Sequence, residues 1–371
     1  MIDKTYVRDN GQEEYWYWLC NIIGIGKKRI EYLVDYFGCP SEVYNALKSQ
    51  LLKVRMIKEK EVGCIFGSKK SWDVREKYRH LNDLNVRFLS IWNEDYPEKL
   101  KNIEDCPFGI YVKGNLPDEN RLSVAIVGAR MCSSYGRMAT EEISEMLCEY
   151  DVQIISGLAM GIDGIGQKAA VDAGGRTFGV LGCGVDICYP KQNIDLYMRM
   201  QQRGGLISEF NVGTEPVARH FPMRNRIISG LSDIVIVVEA KEKSGSLITA
   251  DMALEQGKDV LAVPGRINDS LSKGCNYLIK QGGGMILSPE DLVGELGLNS
   301  GKILNNIKKN KIGLESDQEV LYSCLDFQPK NLQTILSESG LPIENVIEGL
   351  VVLVLRGYIE ETAHNYYTKR I

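Results

Sequence analysis

The chain is poor in histidine. Its 371 residues hold three, His80, His220 and His364, far apart and outside any HExxH pattern or Cys/His cluster. No zinc or other metal site is therefore expected. Its ten cysteines are scattered without a CxxC pair. With no export signal they read as reduced, mostly buried thiols. Met1 to Asn10 is charged and lacks an apolar core, so no signal peptide is expected. The longest apolar run near the C-terminus, Leu350 to Leu355, is far too short to cross a bilayer, and no membrane contact is expected. The absence of GxxxxGK[ST] argues against a P-loop ATPase or GTPase. The lack of GxGxxG spacing around Gly128 argues against an ordinary NAD(P) or FAD enzyme, and no cofactor is expected.

There is no excess of positive charge either: 44 Lys+Arg stand against 49 Asp+Glu, a net of −5. That balance conceals placement. Residues 312–371 carry four basic and nine acidic residues, while residues 48–79 carry ten basic and four acidic ones. The body is neutral overall, with one basic stretch and an acidic C-terminal module. Hydrophobic content of 44% and charge of 25% fit a globular chain of two or three domains.

What is present falls into four segments. Residues 1–85 read as a helical domain. Tyr15, Leu19 and Ile22 share one helix face, and Ile30, Leu33, Val34 and Phe37 share another. Between them lies Ile23-Gly24-Ile25-Gly26-Lys27-Lys28, which looks like a helix-hairpin-helix element. Free amides at the second helix start can face a phosphate; a structural corner with a solvated basic face reads these residues equally well. The basic stretch Lys48 to Arg79 carries the same two readings.

Residues 86–298 form the core, with 86–122 as a mixed lead-in punctuated by Tyr96-Pro97, Cys106-Pro107 and Lys113-Gly114. From Ser123 short apolar runs alternate with helical periods. Strands are expected at 123–127, 152–155, 177–181, 206–208, 233–238 and 260–263, with helices between them. This alternation predicts an α/β fold: an extended Rossmann-like, doubly wound parallel sheet. A polar linker spans 299–313. Residues 314–371 supply three helical segments and a small hairpin around His364-Asn365, resembling a winged helix.

In doubly wound sheets, ligands bind beyond the carboxyl ends of the strands. Here those ends carry Gly128-Ala129-Arg130, Ser156-Gly157, Gly182-Cys183-Gly184 and Ser244-Gly245-Ser246. Glycine permits close approach of a ligand, and helix N-termini add amide donors, so the pattern points to phosphate binding. Tight βα turns would use the same glycines. Arg130 offers a bidentate phosphate partner, or a structural ion pair. In Arg219-His220-Phe221-Pro222-Met223-Arg224-Asn225-Arg226, Phe221 could stack on a base or lie in the core, and Arg224 and Arg226 could reach phosphates. Asn225 reads better as a loop-fixing or capping group than as a base reader. Asp163, Asp186 and Glu209 lie near the same edge without a histidine or lysine partner nearby in sequence, and no catalytic pair is expected. Ser246 and Thr249 are possible nucleophiles with no base placed by motif.

In chain order the core carries Ala125-Ile126-Val127-Gly128-Ala129-Arg130, Ser156-Gly157-Leu158-Ala159-Met160-Gly161-Ile162-Asp163, Val180-Leu181-Gly182-Cys183-Gly184-Val185-Asp186, Tyr189-Pro190, His220-Phe221-Pro222, Arg224-Asn225-Arg226 and Ser244-Gly245-Ser246. This set closely resembles the bacterial DNA-processing protein A family (DprA/Smf). The likeness covers about residues 12–371 and is most specific in the core. It implies a cytoplasmic, non-catalytic homodimer that binds single-stranded DNA, protects incoming DNA and loads the RecA recombinase during natural transformation, with single-strand-binding protein as a further partner. The DNA-binding residues it implies are Gly128, Arg130, Ser156, Gly157, Gly182, Gly184, Phe221, Arg224, Asn225, Arg226, Ser244, Gly245 and Ser246. Two departures stand out. Gln167 replaces a histidine common in the family, which weakens any catalytic reading, and Met223 replaces a common arginine or lysine, which removes a phosphate contact. The competing reading is a nucleotide hydrolase of the phosphoribohydrolase (lysine-decarboxylase-like) type. That group carries Pro-Gly-Gly-x-Gly-Thr-x-x-Glu; here Thr249 is followed three residues later by Met252. Glu344 and Glu348 on the presumed recognition helix would repel duplex phosphates, so the C-terminal module is expected to contact protein.

Overall fold

The computed structural model describes residues 12–298, 316–325, 329–363 and 365–369. The linker 299–313, the N-terminal segment Met1 to Asn10 and His364 lie outside them. The chain falls into two compact units, one of Met1–Cys132 and Thr140–Leu292, the other of Ser133–Ala139 and Val293–Ile371.

The first unit is built on a nine-stranded sheet. In chain order its strands are β1 (Arg87–Ser90), β2 (Gly109–Gly114), β3 (Ser123–Val127), β4 (Gln153–Ser156), β5 (Thr177–Val180), β6 (Gly205–Ser208), β7 (Ile234–Val237), β8 (Asp259–Ala262) and β9 (Gly284–Met285). Their order across the sheet is β1-β2-β6-β5-β4-β3-β7-β8-β9. From β6 to β9 all pairs are parallel. The runs Ser123-Val-Ala-Ile-Val127 and Gln153-Ile-Ile-Ser156 are buried throughout, as strands covered on both faces must be. The chain winds one way from β3 through β4, β5 and β6, then crosses back to place β7 on the other side of β3. A topological switch point therefore lies between β3 and β7, where doubly wound folds open a crevice.

The lead-in segment departs from expectation. Residues 86–122 contribute β1 and β2, which extend the sheet antiparallel through β2 and β6, with Tyr111 opposite Ser208 and Gly114 opposite Gly205. This pairing joins residues about ninety positions apart, which local periodicity cannot reveal.

Among the described residues six helices precede β1: Glu13–Cys20, Lys27–Phe37, Pro40–Asn45, Lys48–Leu51, Glu59–Ser71 and Val74–Asp83. Trp16, Tyr17, Trp18 and Leu19 make the first helix apolar nearly all round, and all four are buried. They share one core with Phe88, Tyr111, Leu181, Val185 and Leu196 of the sheet layer. Tyr17 donates to Asn211 Oδ1 at 2.9 Å, and Tyr111 donates to Asn21 Oδ1 at 2.9 Å. At the hairpin, Gly24 takes φ +92°, a conformation open mainly to glycine. Arg29 is not a free cation, since it pairs with Glu61 at 3.3 Å.

The second unit holds the helices Ser316–Cys324, Leu332–Ser339 and Ile343–Leu355, with a three-stranded antiparallel sheet of β10 (Lys330–Asn331), β11 (Ile359–Ala363) and β12 (Tyr366–Lys369). Leu321, Ile335, Val346, Leu350, Leu353 and Ile359 form its core. Asn331 caps the second helix by accepting from the Thr334 amide at 2.8 Å, and Gly340 ends it in the left-handed region. Among the described residues no helix is long and apolar enough to cross a membrane.

Candidate nucleic-acid interface

A pocket of about 540 Å³ opens at the switch point. Its walls come from the loop after β3 (Gly128, Ala129, Arg130), the loop and helix after β4 (Ala159, Asp163), Tyr189, the helix His220–Leu231 (Phe221, Arg224, Asn225) and the start of the helix Gly245–Glu255 (Ser244, Gly245, Ser246, Thr249). Eight of the sequence-predicted residues thus meet in one place: Gly128, Arg130, Phe221, Arg224, Asn225, Ser244, Gly245 and Ser246. Ser156, Gly157, Gly182, Gly184 and Arg226 do not line it.

Arg130 is exposed, and its guanidinium carbon sits 5.6 Å from the Phe221 ring centroid. No carboxylate pairs with it among the described residues. Phe221 is half-buried, with its inner face against Gly182, where a Cβ would come within 2.9 Å of the ring. Tyr189, exposed at the end of the β5 loop, flanks Phe221 with ring centroids 5.6 Å apart and planes tilted by 31°. Together they make an aromatic platform with the Arg130 guanidinium over the Phe221 ring. In the sequence Tyr189 figures only in the Tyr189-Pro190 motif and not among the predicted site residues.

The opposite wall is a helix start. Ser244 occupies the N-cap position in extended geometry, but its side chain caps nothing: its Oγ pairs with Ser246 Oγ at 2.8 Å. The first-turn amides of the helix therefore keep their donor capacity for an anion. Gly245 is exposed, and a Cβ there would meet nothing within 4 Å. Asn225 fixes this turn by donating to the Gly245 carbonyl at 3.2 Å. Thr249 donates to the same oxygen at 3.3 Å.

The remaining glycines correct the sequence argument. A Cβ at Gly128 would lie 2.7 Å from Ile162, one at Gly157 2.5 Å from Arg224, and one at Gly184 2.4 Å from Asp186. These positions are glycine because the protein's own side chains approach them, not because a ligand does. Gly245 alone among the five predicted glycines opens onto free space. Ser156 is likewise internal, donating to the Ile126 carbonyl at 2.6 Å.

Two arginines also differ from expectation. Arg224 is 4% exposed. Its Nη1 donates to the Gly157 carbonyl at 2.8 Å and to the Val180 carbonyl, tying the β4 and β5 loops together. Burial pushes its pKa down to about 10, opposed by the attraction of Asp163. It remains a cation at neutral pH, with Asp163 beside it in the pocket lining. Arg226 faces away from the pocket. It is bound to Glu209 and, at 3.2 Å, to Asp105, so its charge is already neutralised.

The carboxylates are equally committed. Asp163 is buried, accepts the Gly157 amide at 3.1 Å, and has its pKa raised by burial. Asp186 accepts the Gly213 amide with both oxygens at 3.0 Å, and Glu209 holds Arg226. Gln167 is a buried bracket: its Oε1 accepts from the Leu158 amide at 2.9 Å and its Nε2 donates to the Phe178 carbonyl at 3.0 Å. Met223 is 47% exposed and lines nothing in the pocket.

Fold and site together define an extended Rossmann-like protein with a cationic, aromatic-walled pocket at its switch point, suited to an anionic ligand that carries a flat ring. The family model described as DNA recombination-mediator protein A matches residues 87–297, and the chain belongs to that family. It is 38% identical over 274 residues to the DNA processing protein DprA of Streptococcus pneumoniae, covering 68% of this chain and 97% of that one. The X-ray structure of the Streptococcus pneumoniae protein superposes with a TM-score of 0.64 at 35% identity, covering 76% of this chain and 97% of that chain. A Helicobacter pylori DNA processing protein A, whose structure is described in terms of its single-stranded DNA binding mode, superposes with a TM-score of 0.51 at 29% identity over 57% of this chain and 95% of that one.

Proposed function

We propose that this protein binds single-stranded DNA in the switch-point pocket, without catalysis, and passes the strand to the RecA recombinase. The observation that carries this reading is the pairing, in one pocket, of the Arg130–Phe221–Tyr189 platform with the open amides at Gly245. A base stacks on an aromatic face in any sequence, while amides and a guanidinium hold its phosphate. The bases of a duplex are already stacked on each other, so a platform of this kind selects single strands. The Helicobacter pylori relative supports the ligand class. Protection of incoming DNA, RecA loading during transformation, a homodimer, contact with single-strand-binding protein and a cytoplasmic setting extend the family reading to this chain. So does the division into a SAM-like domain (1–85), a core (86–298), a linker (299–313) and a winged-helix module (314–371). Of the site residues, Arg130, Phe221, Ser244, Gly245 and Ser246 contact DNA; Gly128, Ser156, Gly157, Gly182, Gly184, Arg224 and Asn225 shape the pocket. A hydrolase reading finds no support in the committed carboxylates or in Met252, where that chemistry places glutamate.

The test is oligo-dT affinity against salt for the wild type and Arg130→Ala. One lost single-strand phosphate contact lowers the slope of log K against log salt by about 0.7. Equal slopes and equal affinities would refute the role of Arg130, and release of free base from a nucleoside monophosphate would revive the hydrolase. RecA assembly on DNA coated with single-strand-binding protein, with and without this protein, tests the loading step.

A further inference from the structure

The helical layer ahead of β1 carries cations that the pocket does not use. Lys48 and Lys69 sit 5.3 and 4.5 Å from the centroid of the same Phe66 ring, and Lys69 also lies 5.3 Å from that of Tyr44. Lys70 is exposed beside them, and Lys77 stands 6.0 Å from the Trp72 ring centroid just beyond the helix end. None of these four lysines has a carboxylate within ion-pair range among the described residues. Elsewhere on the molecule cations are commonly paired, as Arg29, Lys99, Arg121, Arg199 and Arg226 are. The acids of this stretch are partly occupied: Asp73 caps the helix Val74–Asp83 and Glu61 holds Arg29, leaving Glu59 and Glu76 exposed. Like charges in excess of the nearby carboxylates repel, and a polyanion relieves that repulsion.

Tyr189 ends the loop after β5; Val185 of that loop lies in the hydrophobic core that the helical layer shares, and Ile187 and Cys188 pack against that core.

We propose that Lys48, Lys69, Lys70 and Lys77 form a second contact surface, which holds the phosphodiester backbone of the single strand leaving the pocket past Tyr189. The inference rests on the pocket reading. Ammonium groups contact phosphates, so this surface holds the backbone and not the bases. It lengthens the footprint on DNA without adding sequence preference.

The test compares the full chain with Lys48→Gln/Lys70→Gln/Lys77→Gln on three probes: the shortest oligo-dT that binds, a long oligo-dT, and a duplex of matching length. Lys69 is left in place because it is half-buried. On the long strand the triple variant loses about 2 from the salt slope, at roughly 0.7 per contact, and about tenfold or more in affinity. On the shortest oligo-dT it matches the wild type, whereas Arg130→Ala weakens both lengths. Should the triple variant fail to fold, Glu76→Gln removes an exposed carboxylate beside Lys77 and raises long-strand affinity. An unchanged slope on the long strand, an equal loss on the short one, or a loss confined to the duplex would overturn the proposal. Failure of the pocket reading looks different: Arg130→Ala is then silent while the triple variant still weakens the long strand.

Discussion

Gly245→Asp separates stability from DNA binding by sign. Gly245 is the first residue of its helix, and its missing side chain would point into open space. An aspartate there meets no steric barrier. A carboxylate in the first turn of a helix contributes about 0.3–1 kcal/mol through the dipole, and replacing glycine by aspartate in a helix adds only about 0.3 kcal/mol. The thermal midpoint should therefore hold or rise. The same carboxylate stands at the amides that would receive a DNA phosphate. Two unit charges about 4 Å apart repel by about 1 kcal/mol at water's dielectric constant and about 4 kcal/mol at an effective value of 20. Oligo-dT affinity should fall by about fivefold to nearly a thousandfold, most at low salt. Fluorescence anisotropy over a salt series reads the loss, and differential scanning calorimetry reads the stability. A folded Gly245→Asp protein with wild-type affinity at low salt would refute the placement of the phosphate. Gly245→Ala, which adds bulk without charge, should bind nearly as the wild type does.

Further outcomes follow from the same geometry. Phe221→Ala should cost about 1–3 kcal/mol of oligo-dT binding, the worth of one base–aromatic stack, with Phe221→Tyr retaining most of it. Arg226→Gln should spare DNA affinity, since Glu209 and Asp105 already neutralise that cation, yet lower stability by on the order of 3 kcal/mol by leaving Glu209 unpaired; calorimetry beside anisotropy reads both. Cys183 and Cys275, buried and pushed up to about 12, bind more protons in the folded than in the unfolded state between pH 9 and 12. Stability should fall as pH rises through that window, and both thiols should resist alkylation at pH 8 until the protein unfolds.

The parallel core was legible because its strands are continuous β-branched runs ended by glycine or small polar residues. Ser123–Val127 falls where the apolar run places it, and the strands around 153, 177, 234 and 259 lie within about a residue of expectation. The antiparallel extension through β1 and β2 was not legible. Arg87–Ser90 and Gly109–Gly114 are short and separated by a segment holding Pro97 and Pro107, and their partners are set by the sheet edge and not by their own period. At the site, residue type was a better guide than residue role. Arg224 reads as a cation, but only its depth beneath the pocket reveals a bracket between Gly157 and Val180. Gly128, Gly157 and Gly184 read as ligand clearances, yet Ile162, Arg224 and Asp186 occupy that space. Tyr189 was not among the predicted site residues because nothing in its neighbourhood of sequence brings Phe221 near it.

The most direct test of the account is a crystal structure of the full chain with a short oligo-dT. The account predicts a phosphate at the amides following Ser244, a base stacked at Phe221 and Tyr189, and the Arg130 guanidinium on the adjoining phosphate. A strand bound elsewhere on the molecule, with that pocket left clear, would contradict it.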